Sequence, residues 1–210
     1  PGDACPLARL AVAAGCPLGV KDVTAMPDGR SRVYVTADAP QETVAAAVER
    51  IAALDALVPL GERGEETLYG VVVSGRTVPT TVVSLGAVLV DARTDGESVR
   101  VTVARPRSAD VRGFLESVQE VHPGAELLGR RPRDRTADVA RGFRTAVEGR
   151  LTGRQREALG AAYFGGYFEW PRGLNGSEVA ASLGISQPTF ARHLRAAQRT
   201  LLSLAFEGDT

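Results

Sequence analysis

The sequence predicts an α+β fold: two tandem ferredoxin-like (βαββαβ) units followed by an all-α helix-turn-helix domain. Three observations predict it. Leu18-Gly19 through Asp28-Gly29 resembles Leu85-Gly86 through Asp95-Gly96, an internal duplication in the first two-thirds of the chain. Each copy places Asp-Gly between alternating apolar runs, which signals a hairpin. Near the end, two short helical patterns flank a tight Gly184-Ile185-Ser186 turn, the sequence shape of a motif whose second helix lies in the major groove of DNA.

The elements follow in order. Pro6 to Ala14 has a helix-like pattern, and the strand expected ahead of it lies upstream of Pro1. The first hairpin follows, then a helix over 41–53 with Val44, Val48, Ile51 and Ala52 on one face. Leu57-Val58-Pro59-Leu60 completes a first unit over 1–63. In the second unit, 64–132, Thr67 to Ser74 is a strand and Val78 to Leu85 a helix-like segment. Its hairpin runs into a helix over 108–121 with Val111, Leu115, Val118 and Val121 on one face, and then the apolar run Ala125-Glu126-Leu127-Leu128. Each copy thus reads β-α-β-β-α-β. Arg130-Arg131-Pro132-Arg133-Asp134-Arg135 reads as a linker, and 133–150 as a linker helix into the last domain, 151–210.

In that domain Thr152 caps a helix whose inner face is Leu159, Ala162 and Tyr163, and Gly165-Gly166 ends it. Seven of the chain's eleven aromatics lie here: Tyr163, Phe164, Tyr167, Phe168, Trp170, Phe190 and Phe206. So small a domain needs large side chains for a core, so core packing rather than base stacking is the expected role of Tyr163, Phe164, Tyr167, Phe168 and Trp170. Ser177 is the expected cap of the next helix, which buries Val179, Ala180 and Leu183. Gly184 permits the turn. Ser186 caps the last helix, and Pro188 sits in its first turn, where a missing N–H costs little.

Phe190, Leu194, Ala197 and Leu201 follow helical spacing and face inward. That leaves Gln187, Thr189, Arg192, His193, Ala196 and Arg199 facing outward or partly so. Gln187 and Thr189 stand where this motif reaches base edges. Gln suits adenine, and Arg192 suits guanine or phosphate. Arg195 and Arg199 suit phosphates or salt bridges, and His193 a phosphate contact or helix packing. The candidate DNA-binding residues are therefore Ser186, Gln187, Thr189, Arg192, His193, Arg195 and Arg199. From Leu151 to Arg199 six arginines face Glu157, Glu169 and Glu178, a modest local excess.

Composition narrows the classes further. Of 210 residues, 44% are hydrophobic and 24% charged, ordinary for a globular chain. Twenty-five basic residues balance twenty-five acidic ones, and Lys21 is the lone lysine. Arginine suits bidentate recognition of phosphate and guanine. No apolar run reaches the roughly 18 residues a membrane span needs, and no signal peptide is visible. The expected location is the cytoplasm.

The strings from Leu151-Thr152-Gly153-Arg154-Gln155, through Gly166-Tyr167-Phe168-Glu169-Trp170-Pro171-Arg172, to Leu183-Gly184-Ile185-Ser186-Gln187-Pro188-Thr189-Phe190-Ala191-Arg192-His193-Leu194-Arg195 resemble the bacterio-opsin activator family of archaeal helix-turn-helix regulators. The resemblance implies a transcription regulator from a haloarchaeon or a relative, with a variable α+β region ahead of its DNA-binding domain. The expected partner is double-stranded DNA. A small-molecule ligand and a second copy of the chain are the partners expected of the α+β region. No cofactor is expected.

Two other classes stand against this reading. Cys5 and Cys16 would make a metal or redox sensor if the first helix folds back onto the strand after Cys16. They lack Cys-x-x-Cys spacing, and the simpler reading is two small buried hydrophobes. An enzyme is not expected: there is no phosphate loop, no Gly-x-Ser-x-Gly and no histidine-rich cluster. His122, beside Pro123, reads as a helix C-terminal dipole partner.

Overall fold

A computed structural model describes residues 5–63, 65–106, 109–130, 146–147 and 149–206. Most of the expected linker and linker helix, 130–150, lies outside the described residues.

The elements are α1 (Pro6–Ala14), β1 (Leu18–Ala25), β2 (Ser31–Ala37), α2 (Gln41–Glu49), β3 (Leu54–Arg63), β4 (Glu66–Val73), α3 (Val78–Ser84), β5 (Val88–Thr94), β6 (Val99–Ala104) and α4 (Val111–Val121). Then come α5 (Gly153–Phe164), α6 (Gly176–Ser182) and α7 (Gln187–Phe206). The α+β class holds. The strands form one six-stranded antiparallel sheet in the order β3-β4-β2-β1-β5-β6.

That order does not resolve into the two tandem ferredoxin-like units expected. The slot between β3 and β2, left for a strand upstream of Pro1, is filled by β4. β3 and β4 pair antiparallel out to Arg63↔Glu66, and β4 also pairs with β2 along its length. With both edges of β4 occupied, the expected strand at Leu127-Leu128 has no partner. No strand forms there, and both leucines are exposed. The duplication itself is visible: the sequence α1-β1-β2-α2 is matched by α3-β5-β6-α4. The copies meet where β1 pairs β5, from Leu18↔Thr94 to Val20↔Ala92. Each hairpin carries a register shift, at Val20/Asp22 and at Leu89/Asp91. Pro59 is tolerated because β3 is an edge strand.

Alternation along β2 sends Val33, Val35 and Ala37 to one face, where they join Leu7, Leu10 and Ala11 of α1 and Val44, Ala47 and Val48 of α2 in the main core. Tyr69, Val71 and Val73 of β4 add to it. A satellite cluster of Val82, Ala87, Val118 and Phe114 seats α3 and α4. Cys5 and Cys16 are free thiols at the margin of the main core.

The opposite residues of β2, Arg32, Tyr34 and Thr36, would face water in a two-layer fold. Here they are buried. The covering element over Arg32 and Tyr34 is α5. Phe164 stacks on Tyr34, with ring centroids 4.3 Å apart. Leu174 joins Phe164 against Tyr34, Leu60 and Leu68. Gly160 sits so close that a Cβ there would stand 3.0 Å from the Tyr34 hydroxyl. Arg32 makes an ion pair with Glu157 at 3.6 Å, their side chains 5% and 2% exposed, and donates to the carbonyl of Ser182 at 3.3 Å. The C-terminal helices are therefore packed onto the sheet.

Candidate nucleic-acid interface

Three helices build the C-terminal unit. Thr152 caps α5 with its hydroxyl accepting from Gln155, whose side chain accepts from the Thr152 N–H in return. Asn175, not Ser177, caps α6: its side chain accepts from Ser177 and Glu178, and Glu178 accepts from the Asn175 N–H at 2.7 Å. The Asn-x-x-Glu spacing was the readable signal, and it outranks a lone serine because it satisfies two donors at once. Gly184 (φ 65°) makes the left-handed turn into α7. Ser186 then caps α7: the Thr189 N–H donates to its hydroxyl at 3.4 Å, and the two hydroxyls lie 2.8 Å apart.

Phe190 and Leu194 pack on Ala158, Ala161, Ala162, Val179 and Ala180, and Ala197 is buried. These small residues let the helices cross closely. Leu201 is half-buried, and Leu202 beside it is exposed. The opposite side of α7 carries the predicted arginines. Gln187, Arg192, Arg195 and Arg199 are exposed. At about 100° per residue, the three arginines fall in one narrow stripe that runs on from Pro188. Thr189 and His193 lie half-buried on the shoulder beside the core, and Thr189 has its hydroxyl engaged by Ser186.

The local acids are largely spoken for. Glu157 is buried between Arg32 and Arg154, the latter at 3.1 Å. Glu178 is turned into its cap. Among the described residues, no ion pair engages Arg192, Arg195 or Arg199. The modest excess counted along the chain thus becomes an uncompensated cationic stripe in three dimensions.

The aromatics correct one expectation. Phe164 and Tyr167 pack inward, Tyr167 edge-on to Phe190 at 5.8 Å. Tyr163, Phe168 and Trp170 do not: they are 65%, 48% and 93% exposed. The alanine-rich core of α5 to α7 is too thin to take them. Sequence reading also missed Arg32 and Tyr34, which hold this unit on the sheet. Their alternation with valines marks them as solvent-facing, and only the fold shows what covers them.

The other candidate chemistry is weaker. Burial pushes the Cys16 thiol up, helped by the charges of Asp38 and Glu66 and opposed by a backbone hydrogen bond at Asp38. That is the reverse of what a reactive thiol needs. Among the described residues, no group of three or more His, Cys, Asp or Glu could hold a metal. His122 ends α4 and bonds Thr81 Oγ1 through Nε2 at 2.9 Å. Burial is the main force lowering its pKa, so its environment favours the neutral ring over the expected dipole-pairing cation. No helix among the described residues is long and apolar enough to cross a membrane.

Two family profiles match the chain. One, described as the GAF and HTH_10 associated domain and abbreviated BAT, covers residues 2–145. The other, HTH_10, described as an HTH DNA binding domain, covers residues 151–203. A Haloferax volcanii protein named as a transcriptional regulator is 34% identical over 206 residues, which is 98% of this chain and 35% of that protein. The bacterioopsin transcriptional activator of Halobacterium salinarum is 29% identical over 170 residues, 81% of this chain and 25% of its own length. The transcriptional regulator NarO of Haloferax volcanii is 41% identical over 97 residues, 45% of this chain and 46% of that protein. The chain thus spans about a third and a quarter of the first two relatives. No solved structure matches it.

Proposed function

The chain belongs to the bacterio-opsin activator family, and from that premise we propose that it regulates transcription, with α7 reading the major groove of duplex DNA. One observation carries the reading. Arg192, Arg195 and Arg199 share the solvent side of a single capped helix, Gln187 is exposed at its first turn, and among the described residues the arginines have no carboxylate partner. Gln187 at the first turn pairs with a base edge, adenine being the best match. Arg192 takes guanine or phosphate. Arg195 and Arg199, further along the stripe, take phosphates, which set register rather than sequence. Ser186 and Thr189 fix the helix start, and His193 borders the contact. The relatives' names, activators and regulators of transcription, point the same way.

The test is a fluorescence-anisotropy titration of promoter fragments at fixed salt. Arg192→Ala weakens specific binding by about 1–3 kcal/mol. A variant that binds every fragment as the parent does ends the assignment.

The α+β region is the input half in this reading. An open cleft of about 340 Å³ is lined by Arg9, Val12, Ala13, Arg50 and Gly96. Its two guanidinium groups suit a small anionic ligand. Calorimetric titration with small dicarboxylates and phosphates, repeated on Arg50→Ala, tests the cleft. Sedimentation over a range of concentrations tests pairing with a second copy.

A further inference from the structure

We propose that the Phe168–Arg172 loop is a second duplex-DNA contact, separate from α7, with Trp170 and Arg172 as its binding residues. The inference rests on the DNA-binding reading above and adds a site to it.

The loop is closed at its base. Gly173 donates to the Gly166 carbonyl at 3.0 Å, Leu174 to that of Gly165 at 2.8 Å, and Glu169 to that of Gly166 at 3.1 Å. What projects is therefore held in place, and it is aromatic. Trp170 is 93% exposed, although a buried indole of this size would stabilise the fold by several kcal/mol. Beside it the Arg172 guanidinium lies 5.1 Å over the ring of Tyr167, and no carboxylate pairs with it among the described residues. Glu169 turns its carboxylate back toward Gly166, where a Cβ would stand 3.2 Å from it.

Position names the occupant. A Cβ built on Gly176 would lie 3.6 Å from Tyr167 and 3.8 Å from the Gln187 side-chain nitrogen. The ring that carries Arg172 and the residue that opens α7 thus border the same glycine. The loop continues the rim of the proposed interface, and Arg172 adds a positive charge there. A guanidinium held over a ring and an unburied indole fit a sugar-phosphate strand: the cation meets phosphate and the indole lies against sugar or base. In homeodomains, another helix-turn-helix fold, the loop between the first two helices also contacts the backbone.

Trp170 is the chain's single tryptophan, so its emission reports this loop alone. The full chain is titrated with an unlabelled mixed-sequence duplex of about 40 base pairs at low salt. Binding is followed in parallel by anisotropy of a labelled copy. Trp170 emission is expected to fall and shift to the blue in step with anisotropy. Arg172→Ala is expected to lower the slope of log K against log salt by about 1. Trp170→Ala is expected to weaken binding about tenfold, with its thermal midpoint unchanged. Emission and salt slope that stay unchanged while anisotropy saturates would overturn the proposal and leave the α7 reading intact. An emission change that follows protein concentration without duplex overturns it in favour of a second copy. Flat anisotropy removes both readings together.

Discussion

On one side of β2, Val33, Val35 and Ala37 meet α1 and α2 through apolar contact alone. On the other, Arg32 and Tyr34 meet α5 through a charge pair, a ring stack and a hydroxyl under Gly160. Apolar contact is tolerant of small rotations, because area changes little when a helix slides. A buried guanidinium between Glu157 and the Ser182 carbonyl fixes one arrangement, since any other leaves a charge unpaired in a dry site. The first side makes the sheet stable. The second sets where the helix-turn-helix unit sits on it.

The sharpest break in that contrast is Glu157→Ala. It strands Arg32 and is expected to cost about 3–5 kcal/mol in urea unfolding. A loss below about 1 kcal/mol would mean that water reaches the pair. The double change Arg32→Met with Glu157→Leu turns the polar side apolar. Global stability is expected to stay level or rise by about 1–4 kcal/mol. The orientation should loosen, seen as a broadened distance distribution between spin labels on α2 and α7. An unchanged distribution would show that the charge pair contributes no specificity. Thr152→Ala removes the cap at the start of α5 and is expected to cost about 1 kcal/mol. If it costs nothing, the sheet rather than the cap holds that helix end.

The smallest effect is a pH dependence on the outlying α3–α4 side. His122 has its pKa lowered in the folded chain, mainly by burial. The unfolded chain then binds the proton more readily, so stability is full above the free histidine value of about 6.5 and declines as pH falls through it toward the lower folded value. His122→Gln should flatten that decline in a series of melts from pH 7.5 to pH 5, roughly the histidine range. An identical pH profile would place the titration elsewhere.

Much of this was legible in the residues. Phe190, Leu194 and Ala197 announce the buried side of α7 by spacing alone, and the outward arginines follow from it. The Asp-Gly turns locate both duplicated hairpins. Strand order was not legible, because β4 reads the same whether it opens a new unit or fills the gap between β3 and β2. Alternation also could not show that Arg32 and Tyr34 are covered: polar next to apolar is the pattern of a sheet with one wet face. Trp170 was misread for a related reason. Aromatic content argues for a core, but it does not say how much core three alanine-lined helices can enclose.

Glu157 has a consequence for anyone who rearranges these parts. A chimaera that joins the C-terminal helices to a different α+β domain would press that carboxylate against a foreign surface. It would keep Arg154 at the rim and lose the guanidinium beneath. Such a graft has to carry Arg32 with it or neutralise position 157 first.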